Sequence, residues 1–117
     1  MAIDATIWSE TAVGTDSGAS ATHAAQAVTD SAPNDSITVN RTHIATGISG
    51  HVDADSIVTI ESPASTVLWQ SKIDISVEGL SFNFPDLTVV GGQGEAILGK
   101  IASSSADCQV NLQGITR

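Results

Sequence analysis

The chain of 117 residues contains one cysteine, no tyrosine, two phenylalanines, two tryptophans and only four Lys or Arg against 13 Asp or Glu. With Cys108 alone, no internal disulfide can form, so packing or assembly must hold the fold, as suits a protein made in a reducing cytoplasm. Four cations cannot neutralise a run of phosphates, and a formal charge of −9 is repelled by nucleic acid and by an anionic bilayer. Neither kind of partner is expected. No apolar run approaches the roughly 20 residues of a spanning helix, and Met1 to Glu10 lacks the basic-then-apolar layout of a secretory signal. The length allows one domain with one modest core.

What is present points to strands. Fifteen Ala, ten Val and twelve Ile stand beside fifteen Ser and twelve Thr, and β-branched residues favour a pleated, half-buried surface. Residues 1–35 read differently from the rest. Thr11 to Thr22 (TAVGTDSGASAT) has too little apolar bulk to build a face of its own and reads as an arm or a loosely held edge, with a possible first strand over Ala21 to Thr29. Residues 36–117 read as the folded domain. Their period is mostly two, which sends successive side chains to opposite faces. Ile37 and Val39 alternate with Thr38 and Asn40, and Ile44 and Ile48 follow, with Gly47 and Gly50 as breaks. Gly50 to Asp55 is a polar loop. Ser56 to Ser62 and Ser65 to Gln70 form a hairpin turning at Pro63-Ala64. Ile73, Ile75 and Val77 oppose Lys72, Asp74, Ser76 and Glu78 in the clearest alternation of the chain. Leu80, Phe82 and Phe84 continue to Pro85-Asp86, and further strands run from Leu87 to Val90, Glu95 to Ala102 and Ala106 to Gln113. About eight short strands give an all-β protein, a β-sandwich or jelly roll with an extended N-terminal arm.

Glu61-Ser62-Pro63-Ala64, Val67-Leu68-Trp69, Phe82-Asn83-Phe84 and Ala106-Asp107-Cys108-Gln109-Val110-Asn111 together resemble the small virion structural proteins of tailed bacteriophages. The resemblance lies mainly in the second half of the chain and leaves residues 1–35 outside. It implies a β-sandwich or jelly roll, often a homotrimer, that serves as a capsid cement or decoration protein or as part of a head or tail fibre. The partner implied is the major capsid protein, the place is the capsid exterior, and synthesis is in the host bacterial cytoplasm. An acidic protein suits the outer face of a shell, away from packaged DNA. The alternative is a phage fibre or a receptor- or carbohydrate-binding module.

Candidate chemistry is sparse, and no catalytic residue, cofactor or metal site is assigned. His51, Asp53 and Asp55 form H-x-D-x-D, which offers three potential ligands but also reads as an ordinary polar loop. His23, His43 and His51 lie scattered along the chain and read as surface or turn residues. Cys108 falls on an apolar strand face with Val110 and Leu112, where a thiol packs as a small hydrophobe. No G-x-S-x-G elbow, dinucleotide fingerprint or phosphate loop occurs. Trp8, Trp69, Phe82 and Phe84 would make a sugar-stacking platform if they were exposed together, although the last three sit in core-like alternation. Ile3, Ile7 and Trp8 are the candidate partner-binding residues. Trp8 is the best single anchor for a partner's pocket, or else it closes one end of its own sandwich.

Overall fold

The computed structural model describes residues 6–14, 18–31, 36–78, 80–103 and 107–117, with backbone alone at 28–31, 36–38, 77–78 and 103. It is all-β. The strands are β1 (Thr6–Gly14), β2 (Ala19–His23), β3 (Ala27–Ser31), β4 (Ser36–Asn40), β5 (His43–His51), β6 (Ser56–Glu61), β7 (Val67–Ile73), β8 (Ser81–Phe84), β9 (Val89–Val90), β10 (Ile97–Ser103) and β11 (Cys108–Thr116). One helical turn, α1 (Ile75–Glu78), separates β7 from β8.

Nine of these strands form two antiparallel layers. Sheet A runs β1-β11-β5-β8, with β9 also on β5, and sheet B runs β2-β10-β6-β7. Strands consecutive in sequence occupy matching positions in the two sheets: β1 with β2, β11 with β10, β5 with β6 and β8 with β7. That order is a jelly roll, the closed double-sheet solution expected for a chain of short alternating strands. The core between the layers is built of Ile48, Val110 and Leu112 from sheet A and Val58, Ile60, Ile97 and Ile101 from sheet B, all essentially inaccessible.

Of the two readings of Thr11 to Thr22, an arm or a loosely held edge, the described part takes the second, in the edge strands β1 and β2. β1 is paired along its whole length with β11, from Thr6 opposite Thr116 to Gly14 opposite Cys108. β2 is paired with β10 from Ala19 to His23. The strand expected over Ala21 to Thr29 is split at residues 24–26 between β2 and β3. Small residues sufficed for β1 because it needs only one inward face, and Trp8 supplies most of that face's bulk. The segment that does stand apart is internal. β3 and β4 pair only with each other, Val28 opposite Val39. They are joined to the body where Arg41 N donates to Gln26 O at 2.9 Å and Gln93 Nε2 donates to Asn40 O at 3.2 Å. The long axis of the molecule is 61 Å, against 26 and 19 Å across, about twice the length of a nine-residue strand.

Three local expectations are corrected. Gly47 and Gly50 do not break a strand but lie inside β5, which carries an irregularity opposite Gln113 and Gly114. The extra residue, Thr46, turns Ile44 outward while Ile48 points into the core, although four residues of regular strand would put them on one face. The polar loop is shorter than expected, and its Val52 is buried, with its N–H donating to Leu80 O at 2.8 Å. The clearest alternation, Ile73 to Glu78, is not one strand. Asp74 Oδ1 accepts from both the N–H and the hydroxyl of Ser76, and Asp55 Oδ1 accepts from Ile75 N. These carboxylates satisfy the first free N–H groups of a helix, as an N-cap does, so the chain turns after Ile73. Those hydrogen bonds hold the Asp74 carboxyl below its ordinary range.

The β6–β7 hairpin is where the sequence placed it. Pro63 follows a cis peptide bond, Ser65 has φ of 76°, and buried Glu61 accepts from Ser65 N at 2.6 Å and from Thr59 Oγ1 at 2.9 Å. The Gly91 to Gly94 turn packs on it: Gly92 N donates to Ser62 Oγ, and Ser62 Oγ donates to Ala96 O.

Candidate interaction surface

The three proposed partner-binding residues separate. Ile3 lies outside the described residues. Ile7 is 87% exposed on the outer side of sheet A, whereas Trp8 is buried with 9% of its surface accessible. Trp8 is therefore no free anchor for a partner's pocket; it closes the sandwich where the edges β1 and β2 meet.

The closure is an aromatic cluster that the sequence concealed. Trp8 stacks on His23 with ring centres 4.3 Å apart, and His43 meets both rings edge-on, 4.5 Å from His23 and 5.9 Å from Trp8. The three rings come from β1, β2 and β5, so their proximity depends on sheet order and leaves no local signal. Glu10, two residues after Trp8 on the same face of β1, accepts from His23 Nδ1 at 3.1 Å. His43 is fully buried. Its Nε2 donates to Ala24 O at 2.8 Å, which fixes the neutral tautomer and leaves Nδ1 to accept from the Thr116 hydroxyl at 2.6 Å. The opposite edge is closed in a similar way, by Trp69 of β7 against Phe84 of β8 at 5.1 Å, with Phe82 buried behind. The four large aromatics thus divide into two edge closures instead of forming one platform.

Burial pushes His43 below the ordinary imidazole range, and nearby His23 and Arg41 push the same way while the bond to Ala24 opposes. The unfolded chain takes up a proton at His43 near pH 6.5, and the folded chain only at lower pH. Stability from this group is therefore present above about pH 6.5 and is lost as the pH falls through the folded value. Urea unfolding from pH 7.5 to pH 5 is expected to show that loss, and H43Q to flatten that part of the profile. An equally steep profile in H43Q would assign the dependence to other groups.

The remaining candidates serve the fold. Asp53 Oδ2 accepts from Asp107 N at 3.0 Å, Asp55 is engaged with α1, and His51 is exposed at the end of β5. No three metal-ligating side chains converge among the described residues. Cys108 is buried, its thiol raised above the ordinary range chiefly by that burial. A thiol reagent is expected to modify it only as fast as the protein opens, so native and urea-unfolded samples should differ sharply in rate. A polar hollow of about 480 Å³ lies beside Thr46, Asn83, Asp86 and Gln113, with Asp86 its only ionisable side chain.

Neither the family models, the characterised proteins nor the solved structures searched contain a match to this chain.

The outer faces of the two sheets differ in charge. The five strands of sheet A hold a single Asp, Glu, Lys or Arg, namely Glu10, and it turns inward to His23. Sheet B carries Lys72 and Lys100 on its outer side, near exposed Ile57 and Val67. Among the described residues most acids lie in the connections, at Asp53, Asp55, Asp74, Asp86, Glu95 and Asp107.

Proposed function

We propose that this chain is a non-enzymatic virion structural protein that binds the outer surface of a bacteriophage capsid and stabilises it as a cement or decoration protein. It is made in the host bacterial cytoplasm, and its partner is the major capsid protein. The reading rests on the resemblance carried by the ESPA, VLW, FNF and ADCQVN segments, and the observation that most supports it is the jelly roll with a detached β3–β4 ribbon. A jelly roll is compatible with many functions. The ribbon narrows the choice, because a two-stranded hairpin is marginally stable alone in water and gains order from a surface on which it can lie. A long body with such a ribbon can bridge neighbouring capsid subunits, and binding across their boundary opposes their separation. A homotrimer is the assembly that the resemblance implies.

The test is co-sedimentation with empty capsids of the virus that encodes the chain, using the full chain and a variant in which residues 27–40 are replaced by Asn-Gly. Because Arg41 N already bonds to Gln26 O across the ribbon's base, the shortened chain should keep its fold. Expected is salt-tolerant binding by the full chain and its loss in the variant. No binding by the full chain, with a glycan-array signal that disappears in W69A, would replace this reading with the fibre or carbohydrate-binding module.

A further inference from the structure

We propose that the outer face of sheet A is the surface through which copies of this chain bind one another. This gives the homotrimer of the proposed function its contact surface and rests on that reading for the kind of assembly, while its test reads association without a capsid. One register row of the face is apolar across its whole width: Ile7 is opposite Ile115, Ile115 opposite Ile44 and Ile44 opposite Val90. Residues opposite one another in a ladder project to the same side, and Trp8, the neighbour of Ile7, points into the core, so this row points out. Ile7 at one end is 87% and Val90 at the other 55% exposed, while Ile44 between them is covered by its neighbours to 3%. Beside the row, Ile7, Trp8, Gly114 and Ile115 help line a hollow of about 370 Å³. A further row is polar but uncharged, with Thr11 opposite Asn111 and Asn111 opposite Ser49; there the Thr11 hydroxyl donates to Asn111 Oδ1 at 2.9 Å.

The occupant follows from charge and area. Two copies, each with a formal charge of −9, repel wherever their acidic connections approach. The strands of sheet A offer a broad uncharged surface on which chain can meet chain, bordered by Arg117 beside Ile44 and Val90 and by Asp86 beside Asn83 and Gln113, and depletion of charge marks the centres of protein interfaces. A charged partner would find complementary groups only at its margin, one of each sign, Arg117 and Asp86. Sheet B, with Lys72 and Lys100, is the face suited to an acidic partner. Three nine-residue strands about 30 Å long at about 4.8 Å spacing, with the shorter β8 and β9 beside them, give a projected area of about 500 Å². Enlarged by side-chain relief, this approaches the roughly 800 Å² per partner of a standard stable interface.

The test is the solution mass of the full chain by size exclusion with light scattering, compared with I7E, T11E and, on the other face, I57E. Ile7, Thr11 and Ile57 are all exposed, so each variant should keep the wild-type strand spectrum and, compared as dilute monomer, the wild-type thermal profile. Expected is a wild-type mass that is a multiple of 11.9 kDa, unchanged in I57E. I7E and T11E should each weaken association by about a hundredfold or more, since charges buried at an interface oppose their own copies. A wild-type monomer at the highest soluble concentration would overturn the proposal. So would an oligomer that survives I7E and T11E, or one that dissociates in I57E instead.

Discussion

Replacing Trp8 with alanine is expected to lower the stability of the isolated protein by about 3–5 kcal/mol, the range for removing a buried large aromatic. The indole is 9% exposed, stacks on His23 and lies across Gly114, where a side-chain carbon would collide with the ring and with Ile44 O. Gly114 has no side chain with which to fill the space, and β1 is an edge strand. The loss would therefore loosen the β1–β2 closure as well as leave a cavity. Its sequence neighbour supplies the control. Ile7 sits on the same strand but outside, so in dilute, monomeric protein I7A should change the urea-unfolding free energy by no more than about 0.5 kcal/mol. Equal effects at positions 7 and 8 would mean that β1 is not inserted as described.

The second large effect is expected at Gly99. This residue lies in β10 between the inward-facing Ile97 and Ile101, where Ile48 and Leu112 of sheet A press on its backbone. A Cβ there would be 2.9 Å from Ile48 Cδ1 and 3.3 Å from the Cβ and Cδ1 of Leu112. Both neighbours are fully buried and packed in the core. G99V should therefore destabilise by about 3 kcal/mol, the upper part of the range for overpacking a tight core, and should raise dye binding to exposed apolar surface. A small change would show that the layers can separate there without loss. The exposed Ala102, three residues on in the same strand, should accept valine with little effect.

Much of the jelly roll was legible because short strands with period two leave local marks. Cys108, Val110 and Leu112 face inward as their spacing requires, and the alternation of buried and more exposed residues continues to Thr116. Pro63 and Pro85 ended strands as their chemistry demands. The errors occurred where a single residue overrode the pattern. Asp74 made a side-chain cap out of what alternation presents as the middle of a strand, and Thr46 reversed the facing of Ile44 through one irregularity. The poor apolar content of Thr11 to Thr22 was a sound observation, but an edge strand needs little bulk when its neighbour, here β11, satisfies its backbone. The Trp8–His23–His43 cluster could not be read, because its members lie far apart in sequence and meet only through sheet order. The charge-free face was partly legible. Thr6–Gly14, His43–His51 and Cys108–Thr116 contain only one Asp, Glu, Lys or Arg, yet only topology reveals that these segments are adjacent.

The most direct test of capsid attachment is a cryo-electron microscopy reconstruction of the virion that carries this chain. Expected is an elongated two-layer density on the outer surface, with its ribbon lying across the joint between neighbouring capsid subunits. Density confined to a fibre or tail tip, or a capsid exterior without it, would contradict the assignment.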